Sequence, residues 1–321
     1  MVATPNTTIV TRQPSKRRRG LQAAHLFVLP YTLFLLLFGI APGLYAITIS
    51  FAKFVEGRPQ LFQAGLKNYT IAFTDFRFLK TFGNAFSFLA IALPVGVIGV
   101  VVIALLLHAR DDWFANVMRT IYFVPGAVAG PTLVLLAIFT LDPALSPFRF
   151  LLTAMGFETI SDVIRPKYFP VLFTIIGFFG GAGGWIAIFY GALNSISHEV
   201  LEAARMDGCN AWQSAWHIKQ PLIRPYIAYM AILTFAGNIQ LYAEPALIGA
   251  AGSSPISLWS PNQLAYEFAF RIGNFGASAA ISLVMLLIGL IGAILVLTTT
   301  SIFQSDASNS CLLYTSPSPR D

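Results

Sequence analysis

The sequence predicts an all-α integral membrane protein, with six transmembrane helices and, between the fourth and fifth, a cytoplasmic loop of two short helices. Three observations predict it. The chain of 321 residues is 56% hydrophobic and only 11% charged, with a mean hydropathy of +0.70, whereas about a quarter of a soluble domain is charged. Six stretches free of Asp, Glu, Lys and Arg are each long enough to cross a bilayer, which takes roughly 20 residues of helix. One polar stretch, 197–221, carries helix caps, a turn signal and two tryptophans between two of those apolar runs.

Residues 1–20, rich in Thr, Ser, Pro and Arg, read as a disordered cytoplasmic lead. Lys16-Arg17-Arg18-Arg19 abuts the first apolar run and lacks interleaved aromatics, so it is a topology anchor and not a nucleic-acid patch. The first span, Gly20–Ala52, is far longer than the apolar core of a signal peptide, and no small-x-small cleavage site follows it. The next spans are Thr81–Ala109, Thr120–Leu141, Tyr168–His198, Pro225–Ala243 and Ile272–Ser305, giving a six-helix transmembrane domain over 21–304. Such uncharged runs must be helical, because lipid offers no partner to a free backbone group. Pro30, Pro42, Pro94, Pro125 and Pro131 each remove a helix hydrogen bond and favour kinks. The fourth span holds Gly177, Gly180, Gly181, Gly183 and Gly184, four of them in two overlapping GxxxG spacings. That pattern serves close helix packing, a seam against a partner, or backbone exposed to a pathway. Pro245–Tyr266, broken by three prolines, reads as a loop. With the N-terminus inside, the cytoplasmic segments hold 11 Lys and Arg against 9 outside. The bias is small, so the orientation rests on the first span. The polar tail 305–321 reads as disordered and possibly non-native.

In the loop, Ser197 is placed to cap a helix reaching about Asp207, with Glu199 and Glu202 near its positive end. Asp207-Gly208 is a turn signal. Asn210 and Gln213 form a capping-box pair for a second helix. Trp212, Ala215, Trp216 and Lys219 share one face of it, and Pro221 and Pro225 stop it and start the fifth span. Two readings stand on pattern alone: a protein-docking element, or an amphipathic hairpin lying on the lipid surface.

The spacing of Glu202-Ala203-Ala204, Gly208, Ile218 and Pro221 closely resembles the EAA loop of the membrane subunits of ABC importers. Gln220 stands where that pattern has leucine, and Cys209 where alanine is common. The resemblance runs from Arg17 to about Thr300 and is greatest to sugar permeases of the maltose/glycerol-phosphate type. Phe27-Val28-Leu29-Pro30, Ala41-Pro42, the run Arg119-Thr120-Ile121-Tyr122-Phe123-Val124-Pro125, and Phe270-Arg271-Ile272-Gly273-Asn274-Phe275-Gly276 carry it. It implies a type I importer permease in a bacterial inner (plasma) membrane. It also implies a second permease subunit in a heterodimer, cytoplasmic ATP-binding subunits and an extracytoplasmic solute-binding protein. Within the loop it implies a coupling helix fitting a cleft on the ATPase: Glu202 with Ala203, Ala204 and Asp207 at the contact, Gly208 permitting the turn, Ile218 and Pro221 closing the motif.

Chemistry other than transport finds no footing. None of the six lysines follows a glycine, so there is no P-loop. Two cysteines, Cys209 and Cys311, and four scattered histidines offer no disulfide framework, metal site or cofactor motif. Energy must then come from a separate ATPase or an ion gradient, and uncharged spans argue against the gradient. For a sugar path, Asn238, Gln240 and Tyr242 in the fifth span, with Glu244 beyond them, have suitable hydrogen-bonding chemistry. The same groups also suit interhelical hydrogen bonds. The rival readings are an ABC permease for a polyamine, phosphate or peptide, a gradient-driven carrier, and a membrane assembly protein.

Overall fold

The computed structural model describes residues 19–299 apart from Glu56, Asp111, Ala129 and residues 252–257. The predicted lead (1–18 of it), the tail 305–321 and the end of the sixth run lie outside the described residues, as does Cys311. The chain divides after Thr48 into two compact units.

The first unit carries α1 (Arg19–Phe34), a π turn (Leu35–Ile40) and the start of α2 (Ala41–Ser50). The wider turn falls between Pro30 and Pro42, where two missing N–H groups interrupt the ordinary ladder. His25–Ser50 remains one helical run long and apolar enough to span.

The second unit opens with a two-stranded hairpin, β1 (Lys53–Val55) against β2 (Arg58–Gln60), and α3 (Lys67–Thr74). Buried Asn68 donates from Nδ2 to the carbonyls of Ser50 and Ala52, at 2.8 and 2.9 Å. That side chain occupies the space where a Cβ on Gly276 would sit, so only glycine lets the last helix come this close. α4 (Phe76–His108) starts at Asp75, whose carboxylate accepts from the Arg77 N–H and pairs with its guanidinium at 2.7 Å. That guanidinium, against the opposing effect of burial, holds the Asp75 carboxyl below the usual carboxylate range. α4 has 33 residues, about 50 Å at 1.5 Å per residue, and outruns the bilayer core. It stays helical through Pro94, so no break forms there. The break falls at Pro125 and Pro131: α5 (Trp113–Phe123) and a 3-10 turn (Val124–Ala127) meet α6 (Gly130–Leu141) at 106°.

Short helices α7 (Arg149–Ala154) and α8 (Ile160–Val163) lead into α9 (Phe169–Asn194), which lies along α4. After the polar loop come α13 (Arg224–Ile239), α14 (Ala243–Ala251), α15 (Pro261–Tyr266) with a π turn (Glu267–Arg271), and α16 (Phe275–Thr299). Within the loop lie α10 (His198–Met206), α11 (Ala211–Ser214), a π turn (Ala215–Lys219) and α12 (Gln220–Leu222). Among the described residues, four helices are long and apolar enough to cross a membrane, or up to six if each of two bent pairs is one span. In the second of these, Ala211–Leu222 of the polar loop meets Arg224–Ile239 at 67°.

One expectation needs correcting. The stretch 245–266 is not simply loop, for α14 and α15 occupy much of it, with 252–257 outside the described residues. Two of its prolines begin helices: Pro245 sits in the first turn of α14, and Pro261 follows the cap Ser260, which forms a capping box with Gln263. Pro costs nothing at a position whose N–H has no helical partner. Trp259 is buried there against Phe88, Phe169 and Phe173, ring centroids 5.0–6.4 Å away, and its carbonyl accepts from Asn84 Nδ2.

Candidate functional site

The polar loop is shaped by local rules. α10 ends in a pair of bonds that close a Schellman turn: Cys209 N–H donates to the Ala204 carbonyl at 2.9 Å, and Gly208 N–H to Arg205 at 3.0 Å. The motif puts its C′ residue in the left-handed region, and Gly208 has φ +83°. Two residues on, Asn210 Oδ1 accepts from Gln213 N–H at 2.8 Å while Gln213 Oε1 accepts from Asn210 N–H at 2.9 Å. The capping box thus forms where the spacing places it. Ser197 has the extended backbone of a cap, but its hydroxyl makes no capping bond. At this exposed end the first N–H groups face solvent, and Glu199 supplies the negative charge that the helix start favours.

Pro221 does not stop the second helix. The π turn Ala215–Lys219 widens the ladder, with Gln220 N–H reaching back to the Ala215 carbonyl. This makes room for the proline ring, and the helix ends two residues later at Ile223. The extra residue in the turn also splits the anticipated stripe. Trp212 and Trp216 stack face to face at 6.0 Å and stay exposed. Ala215 instead packs inward, with Ile196 and buried Ile223, on a core that includes Ala104, Leu105, Ile186 and Phe189.

Away from that anchored side the loop presents a mixed apolar and charged surface on which Glu202, Arg205 and Asp207 are all exposed. Met206 is 88% exposed and Trp212 73%. Glu202, Ala203 and Asp207 are exposed beside them, Ala204 is buried, and Ile218 and Pro221 are half-buried. Glu202 makes no ion pair among the described residues.

The helices under the loop also wall a cavity of about 270 Å³ between α4, α9 and α13. Phe88, Phe173, Phe178 and Trp185 supply aromatic surface, and Thr174, Thr234 and Asn238 supply polarity; no ionisable side chain lines it. Thr174 donates its hydroxyl proton to the Pro170 carbonyl. Neither Thr234 nor Asn238 shows a side-chain hydrogen bond among the described residues, so both remain available to a solute.

Residues 69–298 match the family described as binding-protein-dependent transport system inner membrane component. The chain belongs to this family. Among its relatives, the osmoprotective compounds uptake permease GgtC of Synechocystis is 26% identical over 270 residues, 82% of this chain and 93% of that protein. The multiple sugar-binding transport permease MsmF of Streptococcus mutans is 29% identical over 70% of this chain and 76% of its own. The arabinooligosaccharides permease AraP of Bacillus subtilis is 24% identical over 88% of this chain and 90% of its own. In fold, the permease matches a bacterial alginate ABC transporter chain solved with its alginate-bound periplasmic protein. The TM-score is 0.72 at 16% identity, over 89% of this chain and 96% of that one.

The four residues singled out for a sugar path do not line one cavity of the permease. Asn238 lines the cavity. Gln240 donates to the Ala236 carbonyl at the end of α13, and its own carbonyl accepts from Asn262. Tyr242 lines a separate hollow with Tyr266. Glu244 lies in the first turn of α14, outside both. Sequence reasoning missed Thr234 and Trp185, which lie within runs of mostly apolar letters and carry no signal of their own there.

It also missed a polar latch beneath the loop. Lys219 Nζ lies 2.9 Å from His108 Nδ1 at the end of α4. The His108 ring meets Tyr190 of α9 edge-on at 5.7 Å. Arg119 stacks on the other contact surface of Tyr190, 3.5 Å from its centroid, and donates to the Leu107 carbonyl. Burial first, and then the Arg205 guanidinium, pull the Lys219 ammonium below its ordinary value. The latch joins the loop to two of the three cavity-lining helices. Lys219→Met is expected to lower transport per ATP hydrolysed several-fold while leaving insertion unchanged, as read from paired uptake and phosphate-release assays. An unchanged ratio would show that the latch is only packing.

Proposed function

We propose that this chain is one of two permease subunits of a bacterial ABC importer, moving a carbohydrate handed over by an extracytoplasmic binding protein. ATP hydrolysis on separate cytoplasmic subunits drives it. The observation that carries the reading is that one set of helices does two jobs. α4 and α9 form the base on which the EAA-type loop is anchored, and with α13 they wall an uncharged, aromatic-lined cavity. Closure of the ATPase pair pulls on the loop through Glu202, Ala203 and Asp207. The anchored side then re-orients the helices, so the cavity opens alternately to the two faces. This reading places the loop and the N-terminus in the cytoplasm of a cell with the membrane topology read from the first span.

The substrate class rests on chemistry and kinship together. Neutral hydroxyl-rich solutes suit aromatic faces flanked by Thr and Asn groups, whereas a polyamine or phosphate would need counter-charges that the cavity lacks. Two of the relatives above are named for sugars. Co-purification with an ATP-hydrolysing subunit, followed by uptake of labelled sugars against labelled polyamines, tests the assignment. Asn238→Ala is expected to reduce sugar uptake about tenfold, the cost of roughly one lost hydrogen bond to a neutral group. Preferential uptake of a polyamine would remove the carbohydrate assignment, and unchanged sugar uptake by Asn238→Ala would remove Asn238 from the path.

A further inference from the structure

A second polar hollow lies apart from the central cavity, on the side of the bundle away from the coupling loop. It measures about 240 Å³ and is lined by Tyr242, Gln263, Tyr266, Glu267 and Arg271, among others. The Glu267 carboxylate is mostly covered and pairs with Arg271 Nε at 3.3 Å. From this hollow a line of rings continues outward. Tyr242 and Tyr266 are 5.5 Å apart, Tyr266 and Phe270 4.8 Å, Phe270 and Phe275 6.3 Å, and Phe275 and Phe54 5.5 Å. Tyr266 is 45% and Phe270 68% exposed. Phe54 stands at the lip of a further hollow of about 400 Å³ that is lined by Lys53, Gln63 and Asn274.

We propose that this line is an oligosaccharide track: Tyr242, Tyr266 and Phe270 stack successive sugar rings, while Glu267 and Arg271 bind their hydroxyls. The proposal rests on the carbohydrate reading above and extends it to a ligand longer than the cavity holds. A sugar ring presents an apolar face to an aromatic ring and an equatorial rim of hydroxyls to planar polar groups. The hollow offers both kinds of partner within one concave site, the usual composition of a small-molecule site. Tyr242 of this hollow lies four residues beyond the cavity residue Asn238, just past the end of α13. Rings that merely anchor a protein at the lipid interface form a convex belt with polar tips in water. Here the mostly covered Glu267 carboxylate stands beside Tyr242 and Tyr266 in the hollow, with the exposed Arg271 side chain at its rim, and such charged groups make a poor surface for acyl chains.

The test uses the whole importer with its binding protein and ATPase, comparing wild type with Tyr266→Ala/Phe270→Ala. Saturating uptake is measured for maltose against maltotetraose and for arabinobiose against arabinotetraose. For the series the importer accepts, the tetrasaccharide-to-disaccharide rate ratio is expected to fall about tenfold, matching the loss of stacking on two rings. Disaccharide uptake and ATPase stimulation by the loaded binding protein should hold, and Tyr266→Phe/Phe270→Tyr should restore the ratio. An equal fall for both lengths with weaker ATPase stimulation would overturn the track in favour of a binding-protein docking surface. An unchanged ratio with less inserted protein would overturn it in favour of an interfacial anchor. If the wild type accepts none of these sugars but takes up another class of solute, the carbohydrate reading itself fails and the track with it.

Discussion

Glu202→Lys is expected to abolish ATP-driven uptake while the permease still inserts and folds. Glu202 sits on the outer face of α10 with no ion pair among the described residues, so replacing it disturbs nothing inside the chain. Its neighbours on that face, Ala203, Asp207 and the exposed Met206, make a surface suited to a cleft with a cationic contact. Reversing the charge there places like charges together across a desolvating interface, at a cost of about 3 kcal/mol or more, on the order of a hundredfold in assembly. Co-purification of the ATPase in detergent and binding-protein-stimulated hydrolysis read the effect. Full transport by the variant would exclude a docking role for this face.

Gly183→Ala is expected to destabilise the bundle, whereas Gly181→Ala, only two residues away, is expected to leave stability alone and slow transport. A Cβ on Gly183 would collide with the Tyr122 carbonyl oxygen and stand 2.6 Å from Phe123 Cα. Both are backbone atoms, so no side chain can swing aside and α5 must separate from α9. Overpacking of a close interface costs about 1–3 kcal/mol, and a backbone collision belongs at the upper end. A Cβ on Gly181 meets nothing within 4 Å, but it projects from a residue that lines the central cavity. Thermal melting in detergent separates the two, with uptake as the second readout. Equal melting temperatures for Gly183→Ala and wild type would mean that the helices do not approach this closely.

That pair of glycines shows where reading a linear pattern stops. The GxxxG spacings marked 177, 180, 181 and 184 as candidates for packing or pathway without dividing them. Gly177 and Gly181 line the cavity, Gly180 would meet Leu133, and the tightest approach belongs to Gly183, outside either spacing. The difference is one of azimuth on a single helix, set by where α4, α5 and α13 cross it, and those crossings involve residues far apart in the chain. Pro221 and the loop stripe teach the same lesson at shorter range. A π turn of five residues rotates the face that an ideal 3.6 period assigns, so Ala215 turns inward while the tryptophans stay out.

The linear chain alone determined what depends on neighbours a few residues away and on the solvent around it. Uncharged runs of sufficient length must be helices in lipid, Gly208 must take the left-handed turn that closes α10, and Asn210 with Gln213 must cap the next helix. These needs are met within a turn or two of the residues that create them. Tertiary structure alone decided which polar groups share a hollow, which prolines start helices in 245–266, and that Lys219 reaches His108 from 111 positions away. Such outcomes depend on how packed helices exclude one another's volume, and no local pattern of apolar letters encodes that.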